Sequence, residues 1–162
     1  MRFNPTQGTV LHDRYRVKRI IGQGGYGSIY LADDLRLEGR LCAVKQVRYD
    51  SGFPADVLKE SREQFMREAT VLARLDHPNL PKVSDFFSID DNDFLVMDYI
   101  PGDDLRAIIA KAESSGRFLP EEDVLNWAVQ IGDALSYMHN QTPSILHRDI
   151  KPSNLKVTPN GV

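Results

Sequence analysis

Apolar and polar positions along the first third of the chain follow the pattern of β-strands. Between Tyr15 and Val47 the apolar residues stand at every second position or in short β-branched and aromatic groups. Three strands are predicted in this stretch, over residues 15–21, 28–32 and 41–47. The first part of the chain is therefore predicted to be rich in β-structure.

The spacing of apolar residues changes in the middle of the chain. Over residues 58–75 they recur at intervals of three and four, which predicts a helix. We expect this helix to end near residues 76–78, because the residue before a proline disfavours helical backbone. Two further strands are predicted at residues 86–89 and 94–97, with a polar turn at 90–93 between them.

The last third of the chain has helical character. After the break at Pro101-Gly102, one helix is predicted over residues 103–113. A longer helix is predicted to begin with Pro120 at its first helical position and to close at Asn140. Its predicted apolar stripe consists of Val124, Trp127, Ala128, Ile131, Leu135 and Met138. This order of elements puts a natural boundary near residues 98–102.

Composition and charge limit the classes of function. The 162 residues are 41% hydrophobic and 27% charged, which is the profile of a soluble globular protein. A net charge of -3 argues against a chain that coats nucleic acid. The single cysteine, Cys42, allows no internal disulfide and fits a reducing compartment. No apolar stretch is long enough to cross a bilayer, so we expect a cytoplasmic protein or the cytoplasmic part of a larger, membrane-anchored one.

A glycine-rich stretch follows the first predicted strand. Gly22-Gln23-Gly24-Gly25-Tyr26-Gly27 matches the pattern G-x-G-x-x-G, which alone is weak evidence, since a flexible hairpin without a ligand also fits. In a dinucleotide-binding fold a helix would follow the glycines. Residues 28–31 instead contain the β-branched Ile29 and the aromatic Tyr30, as a strand would. The pattern therefore favours a hairpin whose backbone can lie close to a polyphosphate.

Two charged residues stand at positions where apolar ones are expected. Lys45 shares a strand face with Ala43, and Glu68 falls on the apolar stripe of the predicted helix. Each has an ordinary explanation, namely a lysine that reaches solvent or a carboxylate at the margin of the stripe. Together they predict a buried or half-buried ion pair that directs Lys45 to phosphate oxygens. Such pairs stabilise a fold poorly, which favours a functional reason.

The segment His147–Asn154 reads His-Arg-Asp-Ile-Lys-Pro-Ser-Asn and is similar to the H-R-D-x-K-x-x-N catalytic loop of protein kinases. With the glycine stretch and Ala43-Val44-Lys45 before it, the chain resembles bacterial Ser/Thr kinases of the eukaryotic-like type. The resemblance runs from about Tyr15 to Val157. It implies an α+β, kinase-like fold with a small antiparallel β-sheet lobe that carries one helix, followed by the start of a mainly helical lobe. The implied divisions are a lead-in at 1–14, an N-lobe at 15–97, a hinge at 98–102 and a partial C-lobe at 103–162.

The resemblance also implies ATP and Mg²⁺ as cofactors. The glycines would cover the phosphates, three apolar residues would form a roof over adenine, and Lys45, oriented by Glu68, would hold the α- and β-phosphates. Met97 resembles the gatekeeper residue, residues 98–100 the hinge that bonds adenine, and Asp104 the acidic residue near the ribose. The residues so implied are Ile21, Gly22, Gln23, Gly24, Gly25, Tyr26, Gly27, Ile29, Ala43, Lys45, Met97, Asp98, Tyr99, Ile100 and Asp104.

The catalytic loop supplies the other implied roles. Asp149 would orient the hydroxyl of the substrate and accept its proton, and Lys151 would neutralise the γ-phosphate. Asn154 would ligate a magnesium ion. A lysine at position 151 is typical of Ser/Thr rather than Tyr acceptors.

The sequence departs from the family pattern in two ways. Lys156 stands where the family usually has an apolar residue beneath the adenine. The 162 residues also contain no Asp-Phe-Gly, no activation loop and no Ala-Pro-Glu. Residues 155–158 are predicted to form a strand, 159–161 a turn, and Val162 the start of a return strand. We expect the chain to stop short of the second metal ligand and, alone, to lack kinase activity.

Three functions remain open at this point. The first is transfer of phosphate from ATP to Ser or Thr of a protein substrate, with autophosphorylation as a further expectation and no nucleic-acid partner. The second is a nucleotide-binding pseudokinase or scaffold module, against which the intact Lys45, Glu68, Asp149 and Asn154 count. The third is a kinase-related small-molecule phosphotransferase, which Lys151-Pro152 argues against.

Overall fold

The computed structural model describes residues 3–24, 27–49, 52–159 and 161–162, which form two compact units. The first unit comprises the described residues up to Leu75 together with Pro81–Tyr99. The second comprises Asp76–Leu80 and Ile100–Val162. The short segment Asp76–Leu80 thus belongs to the second unit, although no feature of the sequence pattern separates it from its neighbours.

The first unit is built on one six-stranded antiparallel sheet. Its strands lie side by side in the order β1-β2-β3-β4-β6-β5. The five predicted strands are confirmed, and a short strand that the pattern did not indicate precedes them. The strands are β1 (Val10–Leu11), β2 (Tyr15–Gly24), β3 (Gly27–Asp34), β4 (Leu41–Arg48), β5 (Val83–Ile89) and β6 (Asn92–Asp98).

The two faces of the sheet carry separate clusters of buried side chains, because successive residues of a strand point to opposite faces. The larger cluster includes Tyr30, Val44 and Phe94, of which Val44 and Phe94 are fully buried. The smaller cluster gathers Ala69, Val83 and Leu95 and receives helix α1. Each face of the sheet thus carries buried apolar side chains within this unit.

Helix α1 spans Ala55–Leu72 and is shifted three residues toward the N-terminus from the predicted range 58–75. It begins directly after Pro54, whose carbonyl accepts the Leu58 amide at 3.0 Å. From Arg74 onward the backbone hydrogen bonds shorten to three-residue steps, such as Leu75 N to Leu72 O at 3.1 Å. The predicted end near residues 76–78 is therefore wrong, because the last turn tightens before the proline is reached.

The hairpin between β5 and β6 is tighter than predicted. The strands extend to Ile89 and from Asn92, which leaves a turn of two residues instead of four. Asp90 takes a φ of 52° there. Two-residue hairpins require such left-handed backbone, and aspartate tolerates it better than most residues.

The second unit contains helices α2 (Leu105–Ser114) and α3 (Glu121–His139). Both predicted helices are confirmed, with small shifts at their starts. Helix α2 begins two residues later than predicted, because Asp104 caps it and accepts the Ala107 amide at 2.9 Å. Pro120 occupies the cap position of α3 rather than its first helical position.

The predicted apolar stripe of α3 is only partly covered. Met138 is buried, whereas Val124 and Ala128 are exposed, contrary to the pattern. Within the described part of the second unit, only Ala134 and Met138 are buried apolar residues. Neither α2 nor α3, nor any other helix of the described residues, is long and apolar enough to cross a membrane.

Residues 155–158 do not form the predicted strand. They make single bridges, Lys156 with Asp104 and Thr158 with Gly161. The pairing stays short because the partner segment turns into helix α2 immediately after Asp104. Asn160 of the predicted turn lies outside the described residues, and Val162 donates its amide to the Gln130 side chain at 3.0 Å.

Candidate active site

Lys45 lies on the face of the sheet that the alternation predicted. Its cross-strand neighbours are Ile29 on β3 and Leu95 on β6, while Ala43 pairs in the same way with Met97. Direct cross-strand partners share a face, so these side chains lie on one side of the sheet. Ala43 is 7% exposed, but Lys45 is exposed. The expectation that Lys45 is buried is therefore wrong.

Lys45 and Glu68 line the same cavity. This cavity has a volume of about 310 Å³ and lies between β4 and helix α1. Phe65, Leu72 and Leu95 form much of its apolar wall. An exposed ammonium group and a carboxylate at one apolar cavity form a place where a charged ligand can displace water.

Glu68 is not joined to Lys45. Its side chain is exposed, and its Oε1 accepts a hydrogen bond from Gln64 Nε2 at 2.9 Å. None of the ion pairs among the described residues links Glu68 with Lys45. The predicted buried or half-buried ion pair is thus not formed in this structure, because the cavity separates the strand from the helix and Gln64 binds the Glu68 carboxylate. The spacing of four residues between Gln64 and Glu68 is the signal by which this contact could have been found.

The glycines of the turn between β2 and β3 have different surroundings. A Cβ at Gly22 would lie 3.4 Å from the Ile29 side chain, whereas a Cβ at Gly24 would meet no atom within 4 Å. Gly27 has a φ of 146°, and a Cβ there would lie 1.9 Å from the Gln46 carbonyl oxygen. The fold therefore requires glycine at position 27, while the space at Gly24 is open.

The remaining residues of the glycine stretch are placed as follows. Gln23 is exposed and pairs with Ser28, and Gly24 pairs with Gly27 across the hairpin. The predicted ATP contacts of Gly25 and Tyr26 lie outside the described residues. The hairpin reading is thus confirmed where the structure describes it, because strands and not a helix flank the turn.

The apolar residues assigned to the adenine roof lie in the sheet. Ile21 and Ile29 are half-buried on neighbouring strands, and Ala43 is buried on the next one. Met97, the predicted gatekeeper, is half-buried beside Ala43. Ile29, Ala43 and Met97 therefore share the face on which Lys45 stands.

The predicted hinge begins at the last residue of β6. Asp98 donates its amide to Lys82 O at 3.0 Å and accepts the Lys82 amide on its carboxylate at 3.2 Å. Arg40 also reaches this carboxylate, at 3.4 Å. Tyr99 and Ile100 follow outside any strand and are half-buried.

Three predicted catalytic side chains converge in the second unit. Lys151 Nζ lies 2.9 Å from Asp149 Oδ2, and Asn154 Nδ2 donates to the same oxygen at 2.9 Å. A short 3₁₀ helix over Pro152–Asn154 turns Asn154 back to the loop, where it also bonds the Asp149 carbonyl at 2.9 Å. The structure thus brings together side chains that lie up to five positions apart in the sequence.

This arrangement acts on the charge of Asp149. The hydrogen bond from Lys151, and after it that from Asn154, hold the pKa of the Asp149 carboxyl below its usual range. The preceding residue, Arg148, has a φ of 62°. Left-handed backbone is uncommon for arginine, and such strain is concentrated at functional sites. The loop therefore holds the Asp149 carboxylate in its ionised form, hydrogen-bonded by Lys151 and Asn154.

Asp104 and Lys156 have structural contacts besides their predicted roles. Asp104 is half-buried, and its Oδ1 caps α2. Lys156 Nζ donates to the Gly102 carbonyl at 2.8 Å, which ties the segment after the catalytic loop to the segment before α2. The lysine at this unusual position is thus exposed and hydrogen-bonded.

The sheet with its single helix, the glycine hairpin and the Asp149 cluster define a kinase-type chain. The sequence matches the protein kinase domain family over residues 15–162, and the chain belongs to that family. It is 37% identical over 147 residues to serine/threonine-protein kinase B of Synechocystis, which covers 90% of this chain. It is 35% identical over 150 residues to serine/threonine-protein kinase PrkC of Bacillus subtilis, which covers 93% of this chain.

Solved structures agree with this membership. The kinase domain of Mycobacterium tuberculosis PknI has a TM-score of 0.76 with 31% identity and covers 96% of this chain. The predicted fold class and the bacterial-type Ser/Thr kinase resemblance are thus confirmed. The chain spans 24% and 22% of the two curated relatives and 58% of the solved PknI chain.

Proposed function

We propose that this chain is the nucleotide-binding and catalytic-loop portion of a protein kinase that transfers the γ-phosphoryl group of ATP to Ser or Thr of a protein substrate. The observation that carries this proposal is the convergence of Asp149, Lys151 and Asn154 within 2.9 Å. A merely structural loop does not need a carboxylate, an ammonium group and an amide at one exposed point.

The sheet unit is proposed to supply the nucleotide contacts. The open space at Gly24 supports a role for the glycine turn, since a ligand can approach the backbone there. Lys45 is the exposed cation proposed to hold the α- and β-phosphates. Ile29 and Ala43 lie on its face of the sheet, as an adenine roof requires. Glu68 is proposed to orient Lys45 once its carboxylate releases Gln64 and binds the Lys45 ammonium group instead.

The helical unit is proposed to supply the transfer chemistry. The substrate oxygen bonds to the γ-phosphorus as the bond to ADP breaks, and Asp149 orients the hydroxyl and takes its proton. An aspartate is ionised at neutral pH even at its ordinary pKa, and the lowered pKa of Asp149 favours orienting the hydroxyl over early removal of its proton. Lys151 neutralises charge on the transferred group. Positioning accounts for most of the rate in such reactions, because the transition state is loose.

The donor chemistry of the loop fits Mg²⁺ in part. Asn154 uses its amide nitrogen toward Asp149, so its amide oxygen is the atom proposed to bind the metal. Bound there, magnesium would neutralise charge on the phosphate oxygens. In the described part of the chain, no group of three or more His, Cys, Asp or Glu residues could hold a metal ion. The sequence contains no Asp-Phe-Gly to supply a carboxylate ligand beside Asn154.

A second function follows for the 162 residues taken alone. Because one proposed metal ligand is absent from this sequence, the chain by itself is proposed to bind nucleotide without transferring phosphate. For the whole protein we propose transfer activity toward a protein substrate with Ser or Thr. We also propose autophosphorylation and a cytoplasmic location. The relatives named serine/threonine-protein kinases support these proposals.

The test compares the 162-residue chain with a version extended after Val162 by a segment that contains Asp-Phe-Gly. The extended version should show Mg²⁺-dependent phosphorylation of a Ser/Thr peptide. Asp149→Asn should abolish this transfer, and Asp123→Asn on the exposed start of α3 should not. Robust transfer by the 162-residue chain, or transfer by the extended version that survives Asp149→Asn, would contradict the proposal.

A further inference from the structure

The first described residues lie against the sheet. We call residues 3–9 the N-terminal segment. The Phe3 ring meets Phe94 edge-on, with ring centroids 6.2 Å apart, and packs against the larger buried cluster. Gly8 and Thr9 exchange backbone hydrogen bonds with Val17 at 2.8 and 2.9 Å. The segment is thus held at both of its ends.

Gln46 connects this segment to the interior of the sheet. Its side chain is fully buried, and its Oε1 accepts the Tyr30 hydroxyl at 2.8 Å. Its Nε2 donates to the Phe3 carbonyl at 3.0 Å and to Asn92 Oδ1 at 2.9 Å. A buried amide without partners is costly. The Phe3 carbonyl is therefore one of the groups that make the burial of Gln46 tolerable.

Arg48 extends the connection to the glycine turn. Its Nη2 donates to Asn4 Oδ1 at 2.7 Å, to Ser28 Oγ at 3.1 Å and to Gln46 Oε1 at 3.3 Å. Ser28 is 1% exposed and pairs with Gln23 at the base of the turn. One guanidinium group thus links the N-terminal segment to the strand that leaves the turn.

On the side of β4, the base of the turn depends on these side-chain contacts, because the pairing of β3 with β4 ends before it, whereas β2 and β3 pair as far as Gly24 with Gly27. The register between β3 and β4 runs from Asp33 with Leu41 to Ile29 with Lys45, and Gly27 and Ser28 lie beyond it. Gly27 instead packs closely against the Gln46 carbonyl, where a Cβ would collide. The β2–β3 ladder forms the turn, and the Gln46 carbonyl and the Arg48 side chain therefore hold it against β4 where strand pairing is absent.

The segment and the turn also share a cavity of about 230 Å³. Asn4, Pro5 and Thr6 line one part of it, and Gln23, Ser28 and Arg48 line another. We propose that the N-terminal segment is a positioning element for the glycine-rich turn, with Asn4 and Arg48 as its positioning residues. This proposal deepens the nucleotide role proposed above, and its first test requires no nucleotide.

The first test is amide hydrogen exchange on the 162-residue chain. Asn4→Ala should raise the exchange of the amides of residues 22–24 and 27–28 roughly tenfold, as expected for the loss of one charge-assisted hydrogen bond. Arg48→Met removes three hydrogen bonds and should raise it at least as much. Amides of Val44 and Val96 should not change. Asn4→Asp keeps the acceptor oxygen and should retain the protection. The control is Lys18→Met, which removes an exposed ion pair with Asp33 at 3.2 Å on the same two strands.

The second test is the affinity for a non-hydrolysable ATP analogue. Asn4→Ala and Arg48→Met should weaken it roughly three- to tenfold, since ordering the turn then falls to the ligand. Asn4→Asp and Lys18→Met should bind as the unmodified chain does. Unchanged exchange in the turn, equal loosening of the whole sheet, or unchanged affinity in loosened variants would overturn the proposal. A chain that binds no nucleotide would overturn the proposed function instead, and the exchange result would still decide the role of the segment.

Discussion

The two units of the chain hold their predicted functional residues by different means. In the sheet unit, large side chains such as Tyr15, Tyr30 and Phe94 are almost completely buried. In the helical unit, Val129 is 72% exposed and Phe118 fully exposed. Burial of apolar surface is the main source of stability. The sheet unit is therefore expected to be the stable part of the chain.

This difference extends to the site residues. Lys45 is placed by the ladder, through its pairing with Ile29 and Leu95. Asp149 is placed by its own neighbours, since Lys151 and Asn154 bond it while it remains 60% exposed. Damage to the core should therefore remove the proposed nucleotide contacts, whereas the catalytic loop should respond to changes in its own side chains.

Removal of an aromatic ring from the core of the sheet unit should reveal the largest difference in stability between the two units. Phe94→Ala should lower the free energy of unfolding by about 3–5 kcal/mol, because the ring is fully buried and stacks on Phe87 at 5.2 Å. Leu125 on α3 is 58% exposed, so Leu125→Ala should change the free energy of unfolding by less than about 0.5 kcal/mol. Denaturant unfolding measures both values. Similar losses in the two variants would remove the contrast between the units.

A buried ion pair makes the sheet unit sensitive to acid. Arg14 binds Asp34 through two hydrogen bonds of 2.8 Å and holds the pKa of that carboxyl below its usual range, although burial opposes this shift. A lowered folded-state pKa gives stability that is present above the unfolded pKa of about 4 and is lost as the pH falls through the folded value.

Asp34→Asn should therefore cost about 3 kcal/mol at pH 7 and flatten the pH dependence of stability below about pH 4. Unfolding by denaturant between pH 2 and pH 7 measures this. The exposed Asp33→Asn serves as the matched control. An unchanged acid limb in Asp34→Asn would show that other carboxylates carry the effect.

Substitutions in the glycine turn should distinguish Gly27, which the fold requires, from Gly24, where a side chain would meet open space. Gly27→Ala should destabilise the sheet unit by about 2 kcal/mol, because its Cβ meets the Gln46 carbonyl at a φ of 146°. Gly24→Ala should leave stability within about 0.5 kcal/mol, since its Cβ meets open space. Thermal unfolding compares the two, and equal effects would contradict the geometry of the turn.

The smallest expected effect on folding lies in the catalytic loop. Lys151→Met should raise the pKa of Asp149 toward its ordinary value, and Asn154→Ala should raise it by less, following the order of their contributions. Carboxyl carbon chemical shifts followed against pH report this directly. Stability should stay unchanged. A pKa that responds to neither variant would show that the cluster does not form in solution.

Much of this fold follows from the sequence, because strands and helices report their own periodicity. The alternation around Ala43 and Lys45 placed both on the correct face, which the register confirms. The catalytic residues of the loop were found by their pattern, and their convergence follows from a single 3₁₀ turn. Their roles stay predictions.

The predictions that the structure contradicts have a common physical cause. The Lys45–Glu68 pair and the coverage of Val124 both depend on what packs against an element, and periodicity carries no information on a partner. The same holds for Asp34 and Arg14, which lie twenty residues apart and gave no local signal. The contacts of Phe3 were missed for the same reason.

The most direct test of the proposed function is calorimetric titration of the 162-residue chain with a non-hydrolysable ATP analogue. We predict binding with a Kd between about 1 μM and 1 mM. Lys45→Met should weaken it at least about tenfold, and Leu125→Ala should leave it unchanged. Absence of binding by the folded chain, or equal binding by Lys45→Met, would contradict the assignment of the sheet unit to the nucleotide.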